Sequence, residues 1–427
     1  MLKLPPLQIF RHQAYRHYWI GRQLVSFARQ MTAVAIGWQV YDLARETRSI
    51  EESAFLLGMV GLAQFLPVLT LSLVGGQAAD RFNRKWILII ANAVRVFAIA
   101  GLIAVSAMET ARALPLIFVI AALMGLVNAF VPAASNALYP RLVPRDELAQ
   151  AIAWNSLGYQ TAAILGPAAG GFLYIGGPQL VYGAATAITA LAVISFLFAR
   201  TPEHIPLKSA NGASMIWEGL KYVRSNQIVL GAISLDLVVV FFGGVTALLP
   251  VFARDILYVG AEGLGFLRAA PALGAVLVAA WLAGRPLSRK VGPWMLVAVV
   301  VYGVAMLGFA VSTIFWASMV ALAITGAADM ISVYVRQSLI QFATPDAMRG
   351  RVSSVSFIFI SASNELGEFE SGVAARFLGP VGAVLLGGVV AITMAVAWIG
   401  LFPRLARADK FEDASVDDNT RTIPTKG

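Results

Sequence analysis

Long apolar segments alternate with short polar ones along most of the chain. A helix of about 20 apolar residues is long enough to cross the hydrocarbon core of a bilayer. Segments of that kind have the approximate limits 18–43, 53–78, 86–107, 113–139, 150–175, 179–199, 228–253, 262–284, 293–312, 314–341, 352–376 and 380–402. The first is too long and too polar for a signal peptide. The pattern predicts an all-α polytopic membrane protein with twelve transmembrane helices.

The longest polar interruption falls in the middle of the chain and separates six spans from six. We therefore expect an N-terminal bundle at 1–199, a cytoplasmic loop at 200–227, a C-terminal bundle at 228–403 and a polar, disordered cytoplasmic tail at 404–427. Apolar residues at helical spacing in the loop predict an amphipathic helix on the inner membrane surface. They are Ile216, Trp217, Leu220 and Val223.

The two sets of six spans carry weak internal similarity. Pro144-Arg145-Asp146 follows the fourth span, and Pro345-Asp346 follows the tenth. Arg84-Lys85 and Arg289-Lys290 likewise follow the second and eighth spans. Such matches at corresponding positions indicate a duplicated unit, and they predict two six-helix pseudo-symmetric bundles.

Composition excludes several classes of protein. With 59% hydrophobic and 13% charged residues and a mean hydropathy of +0.76, the chain is too apolar for a soluble globular protein. It has no cysteine and three histidines, none of them within a span, and it lacks a phosphate-binding loop of the Gly-x-x-x-x-Gly-Lys-Ser/Thr type. The sequence therefore disfavours an enzyme and an ATP-driven pump. We expect neither a cofactor nor a bound metal.

The net charge of +9 predicts orientation. If the N-terminus is inside, 22 of the 32 Lys and Arg residues lie in inner loops and termini, five lie in outer loops and five lie within spans. This positive-inside asymmetry predicts that both termini are cytoplasmic. The charge therefore needs no nucleic-acid partner, and the expected surroundings are membrane lipid.

One motif between the second and third spans resembles a known signature. Residues 76–85 read Gly-Gln-Ala-Ala-Asp-Arg-Phe-Asn-Arg-Lys, similar to the cytoplasmic signature Gly-x-x-x-Asp-Arg-x-Gly-Arg-Lys of the major facilitator superfamily. The matching positions are Gly76, Asp80, Arg81, Arg84 and Lys85. Asn83 replaces the usual glycine, a mild departure because Asn tolerates a left-handed backbone.

The resemblance implies that this motif is a conformational latch of the outward-facing state. Arg285 stands where the repeat would place a second Asp80, so the latch is expected to be asymmetric. A basic loop that merely follows the positive-inside rule is the alternative. That alternative accounts for Arg84 and Lys85 but leaves Gly76 and Asp80 without a reason.

The fifth span contains a second motif. Gly166-Pro167-Ala-Ala-Gly170-Gly171 resembles the core of the superfamily's antiporter motif, typical of its export branches. Ala162 stands at one position where the longer motif has glycine. Ordinary close packing of small residues around a proline kink explains the same pattern equally well.

Two further segments resemble one bacterial branch of the superfamily, which contains the enterobactin exporter and macrolide-efflux relatives. They begin at Phe10-Arg11 and at Asn364-Glu365. This resemblance implies a monomeric secondary transporter of the bacterial inner membrane that exports a bulky, amphipathic organic compound by proton antiport and alternating access. A lipid or lysolipid transporter of the same fold and a non-transporting membrane receptor remain alternatives.

Ionisable residues inside spans are functional candidates, because each costs about 2.5–3.5 kcal/mol on insertion scales. Without a histidine in any span, a proton carrier must be a carboxylate. The candidates for proton coupling are Glu365, Glu368, Asp236 and Asp329. Glu365 and Glu368 come first, because two carboxylates one turn apart cannot both ionise cheaply in a low dielectric.

Arginines inside the spans are candidates for binding substrate or for pairing with a buried carboxylate. They are Arg29, Arg22 and Arg336. Arg29, near the middle of the first span, is the favoured partner. Interhelical pairing, such as Asp329 with an arginine, is the structural alternative. Arg95 and Arg268 are weaker candidates, because long side chains near span ends can snorkel to the interface.

Overall fold

The computed structural model describes residues 7–201 and 212–411. Within these ranges the chain is helical and contains no strand. The α-helices are α1 (Gln13–Arg45), α2 (Ile50–Arg81), α3 (Arg84–Val105), α4 (Thr110–Leu138), α5 (Leu148–Tyr174), α6 (Pro178–Phe198), α7 (Gly212–Ser225), α8 (Gln227–Phe242), α9 (Val245–Val251), α10 (Gly260–Gly284), α11 (Val291–Val311), α12 (Phe315–Ala343), α13 (Asp346–Leu401) and α14 (Pro403–Ala406).

Helical structure covers each predicted span. The seventh span consists of α8, α9 and a π-helical turn at Phe252–Ile256. The eleventh and twelfth spans both lie in α13, which is interrupted at Gly379, where φ is +73° and Pro380 follows. Nine helical stretches of the described chain are long and apolar enough to cross a membrane. The nine do not include α1 and α5, and the stretch Ala362–Leu401 of α13, which runs through the interruption at Gly379, counts as one although it contains parts of two predicted spans.

The helices pack in two sets with matching neighbours. In the first set α2 packs on α4, α3 packs on α4 and α6, and α1 packs on α5 and α6. In the second set α10 packs on α12, α11 packs on α12 and α13, and α8 packs on α13. Each pair in the first set thus has a counterpart six spans later. This pseudo-symmetry is the one that the sequence repeat predicted.

The two most extensive contacts between the sets are those of α2 with α13 and of α5 with α10. Glycine permits both. A side-chain carbon on Gly58 would lie 2.9 Å from the Cα of Gly372, and one on Gly171 would lie 2.9 Å from the Cα of Gly265. The helix backbones therefore touch at these points, as small residues allow in membrane helix pairs.

The central loop contains the predicted helix, α7. Its Val223 is buried against the second set, and its Tyr222 hydroxyl donates a hydrogen bond to the carbonyl oxygen of Ala343. Trp217 is 69% exposed. The side chain of Ile216, and residues 202–211 of the same loop, lie outside the described part of the chain.

The expectation of a disordered tail is wrong for residues 404–411. Leu405, Ala408 and Phe411 are buried against the second set. Asp409 accepts hydrogen bonds from the backbone N–H of Lys290, at 3.1 Å, and from Arg289 Nε, at 3.3 Å. Three buried apolar side chains thus fix residues 404–411 against the second set, although the overall composition of the tail is polar. The rest of the predicted tail, from residue 412 onward, lies outside the described residues.

Candidate functional site

The carboxylates that the sequence ranked first lie where the two sets of helices cross. Glu365 and Glu368 are on α13, both partly buried, and Glu368 rests against Gly61 of α2. A side-chain carbon on Gly61 would lie 3.2 Å from Glu368 Oε2. The absence of a side chain at Gly61 therefore makes room for this carboxylate at the interface.

Two arginines accompany this pair of carboxylates. The charges of Arg29 on α1 and of Glu368 both act on Glu365, and the charge of Arg268 on α10 acts on Glu368. Arg268 Nη1 lies 3.8 Å from the position that a side-chain carbon on Gly37 would take. We call Arg29, Arg268, Glu365 and Glu368 the central charge cluster. It draws on both sets of helices.

The expectation that the side chain of Arg268 snorkels to the membrane interface is wrong. Its side chain is partly buried beside α1 and directed into the protein, because α1 and α5 cover the first turns of α10. Sequence position near a span end does not show whether the flanking surface is lipid or protein. The sequence feature that could have predicted this position is the pair of small residues near Arg268, Gly265 and Ala269, four residues apart, because small residues permit another helix to pack closely on α10.

The other two candidate carboxylates lie elsewhere, inside the second set. Asp236 of α8 forms an ion pair with Arg336 of α12, and the two side chains are only 5% and 3% exposed. Asp329 lines a small cavity together with Asp236, Tyr302 and Ser332. Arg336 therefore pairs with Asp236 rather than with Asp329, the acid named in the structural alternative. The structure does not bring these residues into the central charge cluster.

Arg22 also lies apart from the cluster. Its Nη1 donates hydrogen bonds to Tyr18 Oη and to Ser135 Oγ, both at 3.0 Å. Within the described ranges it has no ion-pair partner. Arg22 thus joins α1 to α4 through hydroxyl groups.

The signature motif joins three helix ends. Arg84 is buried and donates from Nε to the carbonyl of Ala79, at 3.0 Å, and from Nη1 to that of Ala137, at 3.3 Å. Lys85 Nζ donates to the carbonyl of Leu197, at 2.8 Å. Cations near helix C-termini are favoured because the last carbonyls there lack intrahelical partners. These two residues therefore stabilise the ends of α2, α4 and α6.

The remaining positions of the motif make fewer contacts. Arg81 is exposed, a side chain on Gly76 would meet open space, and Asp80 forms no ion pair with any described residue. The explanation given for Asn83 was wrong, since its φ is −63° rather than left-handed. Its Oδ1 accepts a hydrogen bond from the N–H of Lys85 at 3.0 Å, so Asn83 is the N-cap of α3.

The three glycines of the second motif, which lies in α5, are each in close contact with a neighbouring helix. Side-chain carbons on Gly166 and Gly170 would lie 2.6 Å from Gln30 Cβ and 2.8 Å from the carbonyl oxygen of Met31. Gly171 touches α10 at Gly265, as described above. The sequence Gly166-Pro167-Ala-Ala-Gly170-Gly171 therefore places α5 against α1 and α10 at once, next to the central charge cluster.

Two arginines that the sequence counted only as outer-loop charges, and two acids that it did not single out, link the two sets at one end. Arg254 Nη1 lies 2.5 Å from Asp42 Oδ1, and Arg45 Nε lies 3.4 Å from Asp255 Oδ2. The Tyr41 hydroxyl donates to Asp255 as well. We call these residues the outer lock. The sequence feature that could have predicted the outer lock is the presence of one acid and one base at the end of the first span and again at the end of the seventh.

The same end is closed by apolar packing, and the opposite end is open. On α2, a side-chain carbon on Gly58 would lie 2.9 Å from the Cα of Gly372, whereas one on Gly76, about five turns farther from the lock on the same face, would have no neighbour within 4 Å. Among the described residues, the ion pairs that join the two sets all belong to the outer lock. The central charge cluster thus lies between a sealed end and an open one.

This arrangement is that of a transporter with one closed gate. A family model described as "Transmembrane secretion effector" matches residues 4–423. The chain therefore belongs to that family of the major facilitator superfamily, whose members are transporters and not enzymes.

Individual relatives agree with this assignment. The enterobactin exporter EntS of Escherichia coli O1:K1 is 27% identical over 398 residues, covering 90% of this chain and 87% of its own. EntS of Salmonella typhi is 27% identical over 389 residues, covering 90% and 88%. A bacterial exporter is thus what this multi-pass membrane protein is similar to.

Solved structures show the same fold at low identity. A D-xylose-proton symporter superposes with a TM-score of 0.73 at 13% identity, covering 95% of this chain and 99% of its own. A bacterial homologue of ferroportin in an inward-facing state gives 0.63 at 18% identity, covering 90% and 98%. The likeness establishes the fold of the chain.

Proposed function

We propose that this protein is a proton-coupled exporter of a bulky, amphipathic organic compound, such as a siderophore-like or drug-like molecule. The observation that carries the proposal is the position of Glu365 and Glu368 at the crossing of the two sets of helices, beside arginines from α1 and α10. A carboxylate there changes its surroundings whenever the two sets move relative to each other.

The coupling follows from electrostatics. A carboxylate packed against Gly61 and facing a second carboxylate favours the protonated form, and a nearby arginine favours the ionised form. Rocking of the two sets about the glycine crossings exchanges one environment for the other. Protons entering from outside then drive the substrate out, and the substrate and protons use the central space in turn.

We assign residues 1–199 and 228–403 to the two moving bundles, joined by the loop at 200–227. The positive-inside asymmetry supports placing both termini, and the tail from residue 404, in the cytoplasm of a bacterial inner membrane. In this orientation the outer lock faces the periplasm and the structure is inward-facing. The motif from Gly76 to Lys85 would then latch the opposite, outward-facing state, in which Asp80 gains a partner.

The cargo is amphipathic because the open side of the central space is apolar while its floor is charged. Leu69 and Leu73 are exposed on the part of α2 that lies away from the outer lock. A lysolipid transporter and a receptor that only binds its ligand share this feature. They are distinguished by the test.

The test uses inside-out vesicles with an imposed proton gradient. Enterobactin, erythromycin and lysophosphatidylcholine are offered in turn, and uptake into the vesicle is measured. We expect gradient-dependent uptake of enterobactin or erythromycin that is lost in Glu365→Gln or Glu368→Gln. Glu370→Gln is the matched control, because Glu370 lies on another face of the same helix and is expected to keep full uptake.

Three outcomes would contradict the proposal. Gradient-dependent uptake that persists in both glutamine variants excludes this proton site. Uptake of the lysolipid alone assigns the protein to lipid transport. Binding of a compound without uptake in any gradient identifies a receptor.

A further inference from the structure

A small cavity lies among three helices of the second set, and no member of the central charge cluster lines it. Its polar side chains are Asp236 of α8, Tyr302 of α11, and Asp329 and Ser332 of α12. Asp329 stands halfway along α12, where a charge in a membrane helix is costly. The cavity therefore brings two carboxylates and two hydroxyl groups together inside one set of helices.

The two carboxylates differ in how their charge is balanced. Asp236 uses one oxygen in its buried ion pair with Arg336. Asp329 forms no ion pair or hydrogen bond with any described residue, and no basic side chain of the described ranges lies close enough to act on its charge. One negative charge thus remains without a cation beside this cavity.

The two hydroxyl groups present oxygen lone pairs to the cavity. Tyr302 donates its proton to the carbonyl oxygen of Gly243, at 3.2 Å, so its oxygen can only accept on the cavity side. Ser332 is 5% exposed, and its hydroxyl has no hydrogen-bond partner in the part of the chain that the structure describes. Thr325 of the same helix, in contrast, donates to the carbonyl of Leu322 at 2.7 Å. A buried hydroxyl without a partner is costly, so Ser332 points to a ligand in the cavity.

We infer that this cavity binds one monovalent cation, and that Na⁺ is the ion that fits it. Carboxylate and hydroxyl oxygens are the ligands that hard cations prefer. The uncompensated charge of Asp329 balances a single positive charge, whereas sites for Ca²⁺ use several carboxylates. Asp329 is exposed, so an ion can enter the cavity without unfolding of the helices. The lack of cysteine and of histidine within spans disfavours transition metals and does not bear on a site built from oxygen ligands.

The site differs from the central charge cluster in what it joins. Its ligands come from α8, α11 and α12, which all belong to the second set. Movement of the two sets relative to each other therefore leaves the ligands together, and the ion stabilises one set in every state of the transporter. The inference goes beyond the proposed proton coupling at Glu365 and Glu368.

Two competing explanations need no metal ion. A water molecule could satisfy Ser332 and Asp329, or a proton on Asp329 could balance the charge. Neither makes the stability of the protein depend on whether the salt at a fixed pH is one of sodium or of choline. A bound Na⁺ does, because a ligand that binds only the folded state stabilises it.

The experiment titrates NaCl into the purified full-length protein in detergent and measures the thermal midpoint, while choline chloride keeps the ionic strength constant. We expect the midpoint to rise with Na⁺ and to level off, to rise less with the larger K⁺, and not to respond to choline. Binding of radioactive sodium to the same samples is expected to saturate at one ion per chain.

Variants of the lining residues test the position of the ion. Asp329→Asn should abolish the response to Na⁺, because the amide keeps the shape of the side chain and loses its charge. Ser332→Ala should need at least about tenfold more Na⁺ for the same rise in the midpoint. Ser318→Ala is the matched control, because Ser318 is buried in the same helix and bonded to Ser312. Asp146→Asn, exposed before α5, controls for removal of a surface charge. Both controls should respond to Na⁺ as the wild type does.

Three results would overturn the inference. They are a thermal midpoint that is the same in NaCl and choline chloride, a response to Na⁺ that survives unchanged in Asp329→Asn or in Ser332→Ala, and stronger stabilisation by Ca²⁺ than by Na⁺. No gradient is imposed, so none of these results bears on proton coupling. Conversely, binding of Na⁺ stays measurable in Glu365→Gln and Glu368→Gln, whatever those variants do to transport.

Discussion

Arg254 and Asp42 form an ion pair with an N–O distance of 2.5 Å, which joins the π-helical turn after α9 to the last turns of α1. The neighbouring pair, Arg45 and Asp255, has the opposite polarity, with the base on α1 and the acid on the turn. Each set of helices thus contributes one acid and one base. The two pairs close the end of the protein that we assign to the periplasm.

Removing one pair of the outer lock should favour opening of this end. Both pairs are partly exposed, and such pairs contribute about 0.2–1 kcal/mol. We therefore expect Asp42→Ala to increase the open population about 1.4- to 5-fold. The chain has no cysteine, so Val34→Cys, buried on α1 about two turns before Asp42, provides a single thiol whose labelling by an impermeant maleimide reports opening.

The charge reversal is the control for this prediction. Asp42→Arg combined with Arg254→Asp should bring the labelling rate back towards that of the parent. If Asp42→Ala labels no faster than the parent, the pair does not restrain opening.

A large side chain at the crossing of α2 and α13 should prevent the outer end from closing. Gly58 touches the backbone of Gly372, and overpacking of such a contact costs about 1–3 kcal/mol. Gly58→Leu is therefore expected to label faster at Val34→Cys and to lose transport. Gly308→Leu is the matched control, because a side chain there meets open space. Equal labelling rates in the two variants would show that the outer end closes even with a large side chain between α2 and α13.

The buried pair of Asp236 and Arg336 should contribute to stability and not to coupling. Breaking a buried ion pair leaves an uncompensated charge, which costs about 3–5 kcal/mol. We expect Arg336→Met to lower the thermal midpoint in detergent strongly, and Asp236→Leu combined with Arg336→Met to restore most of it.

Transport by that double variant separates structure from coupling. If Asp236 is structural, the double variant keeps the pH dependence of the parent. Loss of gradient dependence in a stable double variant would instead place Asp236 in the proton path, as the sequence had proposed.

Docking of the segment after α13 should depend on pH. The N–H of Lys290 and the charge of Arg289 lower the pKa of Asp409 below its usual value of 3.8. A lowered pKa means that the folded state favours the carboxylate, so this contribution is present at neutral pH and is lost as the pH falls through the lowered value. The protection of the amides of residues 404–411, judged from their hydrogen-exchange rate relative to the intrinsic rate at the same pH, should fall at such pH.

Asp409→Asn should show the faster exchange already at neutral pH, because an amide loses the charge that Arg289 binds. Glu262→Gln, an exposed acid in the first turn of α10, is the control and should leave the segment unchanged. Protection that is independent of pH in the parent would mean that Leu405, Ala408 and Phe411 hold the segment alone.

Much of the fold could be predicted from local sequence. The length of an apolar segment decides whether it spans a bilayer, and this rule located helices at all the predicted spans. The gap that it left between the spans 352–376 and 380–402 contains the break at Gly379 within α13. It failed to mark the buried apolar residues of the segment 405–411, because these are only a few residues in a short stretch. The explanation of Asn83 failed for a similar reason, since a cap and a left-handed turn favour the same residue type.

The sequence by itself determined that the protein is a membrane transporter with two related halves, and that its few buried charges are candidates for mechanism. Helical periodicity sets which residues share a face, so Glu365 and Glu368 were placed together correctly. Only the tertiary structure decided which faces meet. It paired Arg336 with Asp236, brought Arg268 to Glu368 and joined Asp42 to Arg254, because these contacts join residues far apart in the chain. Their distances depend on how helices cross, and the crossings depend on glycines whose partners no local pattern reveals.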